Sequence, residues 1–376
     1  MERRRLFLFA LVVCVSLGAG FLFVHTYDRQ PRYQDHSLAY WLRLYARGTG
    51  PEVPEAQAAQ ATKAVAAVRA IGADALPCLL RWIRYEPPSW RETAFETVDR
   101  LPGRLTENPF VDSVLTDPAS KRAAFAALAF SILGPQASPA IPELTLIMND
   151  PGAPNASRTA TEALAYIGRD AFPFLVAVLT NREAACRVTA ADCIGSMRRA
   201  GADATPAVPV LVQCLQDKDL GLAEAAARSL GRLSLRPDIA VPALAQALSD
   251  PRLMLRRAVV RALRQFGDES LPAVPALIHC LGDADPLLAS DVAGALGRLR
   301  LESKVVVPAL ANSLQSPLSA VRHAVVQALG DYGHNAREAI PVLLPLLESP
   351  DLALRSEAAN ALHRIAPETL AKTAAP

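Results

Sequence analysis

The sequence predicts an all-α fold, a right-handed α-α superhelix of about nine helix pairs preceded by a single transmembrane helix. A proline-centred motif recurs about every 33 residues, and one uncharged apolar stretch lies near the N-terminus. Hydrophobic residues make up 51% of the chain and aromatic residues only 6%, a composition that suits thin, closely packed helices better than a β-sandwich. The predicted organisation is a membrane anchor over 1–27, a capping helix and loop over 28–57, the repeat array over 58–367 and a disordered tail over 368–376.

The repeating motif consists of a small residue, an apolar residue, proline, any residue and leucine. Successive copies are separated by 31 to 36 residues, and the last four separations are all 33. A recurrence between about 20 and 50 residues is typical of a solenoid, in which no repeat can bury its apolar face alone. The anchor prolines are Pro77, Pro109 (a weaker copy), Pro142, Pro173, Pro209, Pro242, Pro275, Pro308 and Pro341.

Each repeat has room for two helices, which we name helix B and helix A. Proline lacks an N–H and has a helical φ, so each anchor proline predicts the first turn of a helix B. Eight residues later every repeat except the first, which has Tyr85, carries Asp, Asn or Ser, and these residues predict the N-cap of the following helix A. Helix A is then expected to end near a glycine in the left-handed conformation, at Gly134, Gly168, Gly201, Gly267 and Gly333.

Two phrases carry a family resemblance, DPRLMLRRAVVRALRQFG at 250–267 and VRHAVVQALG at 321–330. They resemble the HEAT-repeat family, including its bacterial branch related to the repeats of phycobilisome lyases, and the resemblance covers about 58–367. In that family an acidic residue in the turn and an arginine six residues later form a ladder between repeats. The resemblance implies a structural ladder here, interrupted at Ala156, Ala223 and Ala289 and formed by Arg91, Arg187, Arg256, Arg322 and Arg355.

The N-terminal segment predicts a membrane anchor. Residues 6–24 read LFLFALVVCVSLGAGFLFV, nineteen residues without a charge, and three arginines precede them. That length can span a hydrocarbon core, and the arginines place the N-terminus in the cytoplasm and the repeats on the outer or periplasmic side. No convincing cleavage site follows, so we expect an uncleaved single-pass anchor, with secretion after signal cleavage as the alternative.

A capping helix is expected between this anchor and the array. Leu38, Trp41, Leu42 and Tyr45 fall on one face of a helix within 33–47, and terminal repeats need such a cover. Two prolines within 48–55 then predict a loop.

Composition and motifs argue against catalysis and against nucleic-acid binding. The 39 basic and 37 acidic side chains leave a formal charge of only +2, which creates no field that would attract DNA or RNA. The six histidines form no HExxH motif, and the sequence has neither a phosphate loop nor a GxSxG elbow. The five cysteines outside the anchor show no CxxC spacing and predict buried, inert thiols. We therefore predict no catalytic residue, metal, cofactor or small-molecule substrate.

One polar stripe remains as a candidate binding surface for a protein partner. Its members lie four and seven residues after the anchor prolines, on one face of successive B helices. Because helix B lines the inner surface of solenoids of the resembled family, we expect the stripe in a concave groove. The stripe comprises Gln213, Gln216, Gln246, His279, Asn312 and Gln315.

These observations predict a membrane-tethered scaffold that mediates protein-protein interaction. Any solvent-facing column of a repeat is polar, so the stripe alone does not separate a binding surface from plain solvation. A structural spacer of the cell envelope without a groove ligand, and an enzyme similar to the bilin lyases, are the two alternatives left open.

Overall fold

The structure, a computed structural model, describes residues 30–49, 53–86, 118–182, 184–197 and 203–368. The predicted membrane helix, the weak repeat copy at Pro109, Arg91 and the tail beyond Glu368 lie outside the described residues. The chain divides into two compact units, Met1–Ala171 and Phe172–Pro376.

Unit 1 opens with a small β-hairpin that the sequence did not predict. Strands β1 (Arg32–Tyr33) and β2 (His36–Ser37) pair antiparallel. The two residues between them, Gln34 and Asp35, both have positive φ, as tight hairpin turns that match strand twist require.

The expected helix follows the hairpin directly as α1 (Leu38–Arg47). The hydroxyl of Ser37 accepts the N–H of Tyr40 at 3.4 Å and caps the helix. Trp41 and its two leucine neighbours are buried, and the Trp41 indole N–H donates to the Tyr33 carbonyl at 3.2 Å. The helix packs against the first helix of the repeats.

Helices and short 3₁₀ segments make up the rest of the described part of unit 1. Its helices are α2 (Glu55–Ile71), α3 (Leu76–Ile83), α4 (Pro118–Leu133), α5 (Ile141–Met148) and α6 (Pro154–Ile167). The 3₁₀ segments are Gly72–Ala75, Gly134–Ala140 and Arg169–Ala171.

One stretch of the described residues, Lys121–Met148, is long and apolar enough to cross a membrane by length and composition. It comprises most of α4, the following 3₁₀ segment and α5, and its side chains Phe130 and Leu144 are fully buried in unit 1. A core helix of a repeat array passes the same test.

Unit 2 alternates the two kinds of helix that the period predicts, so the prediction of repeated helix pairs is confirmed. The helix-B row is α7 (Phe172–Thr180), α9 (Val208–Cys214), α11 (Pro237–Ala247), α13 (Val274–Cys280), α15 (Ser303–Ser313) and α17 (Ile340–Leu343), the last followed by a 3₁₀ segment, Leu344–Glu348. The helix-A row is α8 (Arg187–Ser196), α10 (Leu220–Leu233), α12 (Leu253–Phe266), α14 (Pro286–Leu299), α16 (Ser319–Tyr332) and α18 (Leu352–Ile365).

A column of leucines forms the core of both units. Each lies two residues after an anchor proline, and each described member is completely buried. Burying one leucine side chain stabilises a fold by about 1.5–3 kcal/mol, so the column makes stacking strongly favourable. Its members are Leu79, Leu144, Leu175, Leu211, Leu244, Leu277, Leu310 and Leu343.

The residues predicted as N-caps lie two positions too early in the last repeats, and that prediction is wrong there. The carboxylate of Asp217 accepts the N–H of Asp219 at 3.0 Å and closes the turn. Asp219 is the true N-cap of α10, because its carboxylate accepts the N–H groups of Gly221 and Leu222. Short polar side chains favour both arrangements. The same turn bond is made by Asp150, Asp250, Asp283, Ser316 and Ser349.

Two kinds of junction lead from helix A to the next helix B. At the end of α12, Gly267 has φ 57° and ψ −130°, a conformation essentially restricted to glycine, and a 3₁₀ segment, Gly267–Ala273, follows. α10 and α14 end instead on Ser234 and Arg300 in the left-handed region. Helix B then begins earlier, so the anchor prolines lie inside the helix, contrary to prediction, at Pro242 of α11 and Pro308 of α15.

Glycines bring successive A helices into close contact. A Cβ added to Gly297 of α14 would lie 2.7 Å from the Cα of Ala328 in α16, and one on Gly231 would lie 2.7 Å from the Cα of Ala262. No side chain fits at that distance, since ordinary carbon contacts need about 3.5–4 Å.

We expect Gly297→Ala and Gly294→Ala to have opposite effects on stability. The first forces α14 and α16 apart and should lower the free energy of unfolding by about 1–3 kcal/mol. The second lies on the same helix with open space at its Cβ, and alanine should raise helix stability by about 0.5–1 kcal/mol. Denaturant unfolding followed by circular dichroism measures both free energies. Equal effects of the two changes would contradict the close contact between α14 and α16 at Gly297.

Candidate functional site

The polar stripe lies on the surface of the helix-B row. All six of its residues are exposed. Gln246, His279 and Asn312 lie on α11, α13 and α15, whereas Gln216 and Gln315 lie just beyond the ends of their helices. No hydrogen bond joins any of these six side chains to another described residue. The stripe is therefore available to a second molecule.

The two rows of unit 2 pack differently. Glycine and alanine form the seams between successive A helices and bring those helices into close contact. The stripe lies on the other row, that of helix B, and its expected place in a concave groove stays a prediction.

Two of the arginines implied by the family ladder bond to the turn of the next repeat. Arg187 donates to a carboxylate oxygen of Asp217 at 2.8 Å and also to the Leu179 carbonyl near the end of α7. Arg256 is paired in the same way with Asp283. A backbone N–H from Asp219 and the Arg187 guanidinium hold the pKa of Asp217 below its usual value. These contacts connect adjacent turns.

The other ladder positions differ. Arg322 donates to the carbonyls of Ser316 and Pro317 within its own turn, because the next turn has a serine, Ser349, in place of an acid. Arg355 is half-buried, and its side chain makes no hydrogen bond to a residue that the structure describes. The alanines that interrupt the arginine column are Ala156, Ala223 and Ala289, and all three are buried.

Sequence reasoning missed Arg252, which joins two turns in place of the arginine absent at 223. It is paired with Asp250 at 2.9 Å and donates to the Asp217 carbonyl of the preceding turn at 2.7 Å. The signal was an arginine directly after the proline of an Asp-Pro turn.

Ion pairs also cross between A helices on their exposed face. Arg228 and Arg232 reach Asp192, Arg257 bonds to Asp291 at 2.8 Å, and Arg364 bonds to Asp331. Exposed pairs contribute about 0–1 kcal/mol each. They orient neighbouring helices more than they stabilise them.

His323 on α16 lies between two carboxylates of the last repeat. Its Nδ1 is 2.7 Å from Glu357 and its Nε2 is 3.1 Å from Asp351. Partial burial by itself lowers the pKa of His323, but these hydrogen bonds outweigh burial and raise the pKa above the usual 6.5. The charged imidazole therefore stabilises the folded state.

We expect the contribution of charged His323 to the free energy of unfolding to be fully present below pH about 6.5. It should be lost as the pH rises through the raised pKa of the folded state. The difference in melting temperature between the wild type and His323→Gln should be largest at acidic pH and shrink at alkaline pH. His279→Gln is the control, because His279 is exposed and makes no side-chain hydrogen bond to a described residue. If both variants showed the same pH dependence, the hydrogen bonds of His323 to Glu357 and Asp351 would not stabilise the fold.

Among the residues that the structure describes, the histidines and cysteines form no common site. In the described part of the chain, no three His, Cys, Asp or Glu side chains are placed to hold a metal ion. His279 lies on the helix-B row, while His334 contacts the Ile365 carbonyl at 2.9 Å. Burial raises the pKa of the Cys214 and Cys280 thiols.

Comparison with known proteins matches the repeats. The family of HEAT repeats matches residues 141–231, 172–253, 208–297, 241–330 and 307–375, which together span more than half of the chain. No curated protein sequence matches the chain.

Several solved structures are similar. The complex of CpcE and CpcF of phycocyanin lyase from Nostoc sp. PCC7120 is 32% identical over 43% of this chain, with a TM-score of 0.38. The matched part covers 66% of that chain, just under two thirds of its length. A mutant of Kap121p is 14% identical over 90% of this chain and 42% of its own, with a TM-score of 0.50, which shows the fold alone. An engineered protein is 20% identical over 86% and 98%, with a TM-score of 0.42.

Proposed function

Because the chain belongs to the HEAT-repeat family, we propose that it is a non-enzymatic scaffold that binds protein partners and is tethered to a membrane by residues 6–24. Arrays of this family present long surfaces in place of one deep pocket. The family match defines the repeat fold, and the partner, the surface and the tether are the proposed part.

The observation that carries the scaffold proposal is the polar stripe. Six exposed side chains recur at the repeat spacing and make no hydrogen bond within the described structure. Amide groups such as those of Gln246 and Asn312 can donate and accept, so a row of them suits the backbone of an extended segment. The lyase similar to this chain is itself a complex of two proteins, CpcE and CpcF, which supports a protein as the partner.

We expect the paired change Gln246→Glu with Asn312→Lys to weaken partner capture without unfolding the array, because the net charge is unchanged while the hydrogen-bonding pattern is lost. Loss of two hydrogen bonds should reduce partner affinity by about tenfold or more. Quantitative affinity purification from membranes, with mass spectrometry, compares each retained protein between variant and wild type.

The matched control carries the same two substitutions off the stripe, Gln136→Glu with Asn335→Lys, both at exposed positions of 3₁₀ segments. Retention of every partner by the stripe variant would remove the stripe from consideration. Crosslinking that yields only contacts between copies of this chain would favour a structural spacer of the cell envelope.

We expect the full chain to remain in the membrane fraction after alkaline carbonate extraction, and a chain lacking 1–27 to be extracted. Nineteen uncharged, mostly apolar residues are sufficient to span the hydrocarbon core. Protease added outside the cytoplasmic membrane should digest the repeats, as the arginines before the span predict. A soluble chain shortened at the N-terminus would instead establish secretion after signal cleavage.

A lyase function is the weaker candidate. The similarity to CpcE and CpcF extends over less than half of this chain, and the sequence offers no catalytic constellation. Purified protein that formed a coloured covalent adduct between a bilin and phycocyanin would overturn the non-enzymatic proposal.

A further inference from the structure

Arg264 occupies a position where neighbouring repeats have a glycine in close helix contact. The position lies 22 residues after the anchor proline and is glycine at 195, 231, 297 and 330 for the anchors at 173, 209, 275 and 308. An arginine cannot enter such a seam. Accordingly, the contact between α12 and α14 is looser than those between α10 and α12 and between α14 and α16.

The register of α12 against α14 places Arg264 level with another arginine. Arg257 and Asp291 are bonded at 2.8 Å and define which residues of the two helices lie opposite. Seven residues, or about two turns, further along each helix come Arg264 and Arg298. Arg261 lies three residues before Arg264 on the same face of α12. We name Arg261, Arg264 and Arg298 the arginine cluster.

The arginine cluster has no counter-charge of its own. None of its three side chains makes a hydrogen bond or ion pair with a residue that the structure describes, and Arg261 and Arg298 are exposed. Burial lowers the pKa of Arg264, and the guanidiniums of Arg298 and Arg261 lower it further. Asp291, which acts in the opposite direction, is already bonded to Arg257.

Space for a ligand adjoins the arginine cluster. A Cβ added to Gly294 of α14 would meet no atom within 4 Å. Gly294 lies one helical turn before Arg298 on the same face. Every other described repeat of unit 2 has a larger, polar side chain at the corresponding position: Asp192, Arg228, Arg261, Gln327 and Asn360. The ridge of side chains is therefore interrupted beside the three guanidiniums.

We propose that the arginine cluster binds a carboxylate-rich segment of a protein partner over Gly294. The proposal rests on the scaffold function and deepens it by naming the chemistry of the partner, on a surface other than the stripe. Guanidinium groups bind carboxylates through paired hydrogen bonds. Nucleic acid fits less well, because α12 and α14 expose no aromatic side chain on which a base could stack, and Phe266 is buried.

The test measures binding of a fluorescent all-glutamate peptide to the purified full chain by anisotropy at low salt. Arg261→Glu with Arg298→Glu should weaken binding at least about tenfold. The control, Lys218→Glu with Lys304→Glu, makes the same change of charge at exposed sites outside the cluster and should change affinity less than about twofold. Equal losses in both variants would mean a general charge effect and overturn the proposal.

Arg264→Ala separates binding from folding. It removes a half-buried, mutually repelled charge, so it should weaken peptide binding while leaving the melting temperature unchanged or higher. A lower melting temperature with unchanged peptide binding would assign Arg264 a purely structural role and overturn the proposal. Failure of the wild-type protein to bind the peptide would also overturn it.

Two further comparisons complete the test. Tighter, cluster-dependent binding of an oligothymidylate than of the peptide would assign the surface to nucleic acid and overturn the proposal. Peptide binding that depends on the cluster while the stripe variant retains all partners would support the acidic-segment proposal and reject only the stripe. If partner capture depends on the stripe while peptide binding does not depend on the arginine cluster, the stripe is supported and the acidic-segment proposal is rejected.

Discussion

The structure depends on one constraint, that the apolar face of each repeat is covered only by the adjoining repeat. The leucine column is buried in every described repeat, and the A helices meet through glycine and alanine at distances that exclude a side chain. These contacts leave little freedom in the spacing of α14 and α16, since a single methyl group would separate them. Side chains outside the seams are then free to carry polar and charged surfaces.

Polar contacts in the turns also connect neighbouring repeats. Asp217 and Asp283 each close their own turn and also accept an arginine from the preceding repeat. One carboxylate therefore satisfies backbone N–H groups and links neighbours, which partly buried charges require. Arg252 connects two turns where the family arginine is missing, so the connection is preserved while the residue that makes it changes.

The arginine cluster lies where one contact between A helices lacks the usual small residue. Arg264 replaces the small residue that would close the seam, and like charges then gather beside an open position at Gly294. Such an arrangement costs stability, because the guanidiniums repel each other and one of them is partly desolvated. Features that cost stability without a compensating contact often mark functional surfaces. For this reason we propose a ligand for the arginine cluster in addition to the partner proposed for the stripe.

The sequence by itself determined the period, the pairing of helices, the leucine seam and the residue types of the turns. These follow from local chemistry: proline in a helix start, glycine at a helix end, and apolar residues at helical spacing. Only the tertiary structure decided that the caps of the last repeats lie two residues later, that Pro242 and Pro308 lie inside helices, and that glycine and alanine bring the A helices into close contact. It also decided which charges meet, as in the contact of His323 with Glu357. The caps and the helix starts depend on competing local hydrogen bonds and on residues in the left-handed region, between which residue types alone do not choose. The contacts between helices and between charges depend on atoms about one repeat apart in the chain, whose relative placement no local pattern contains.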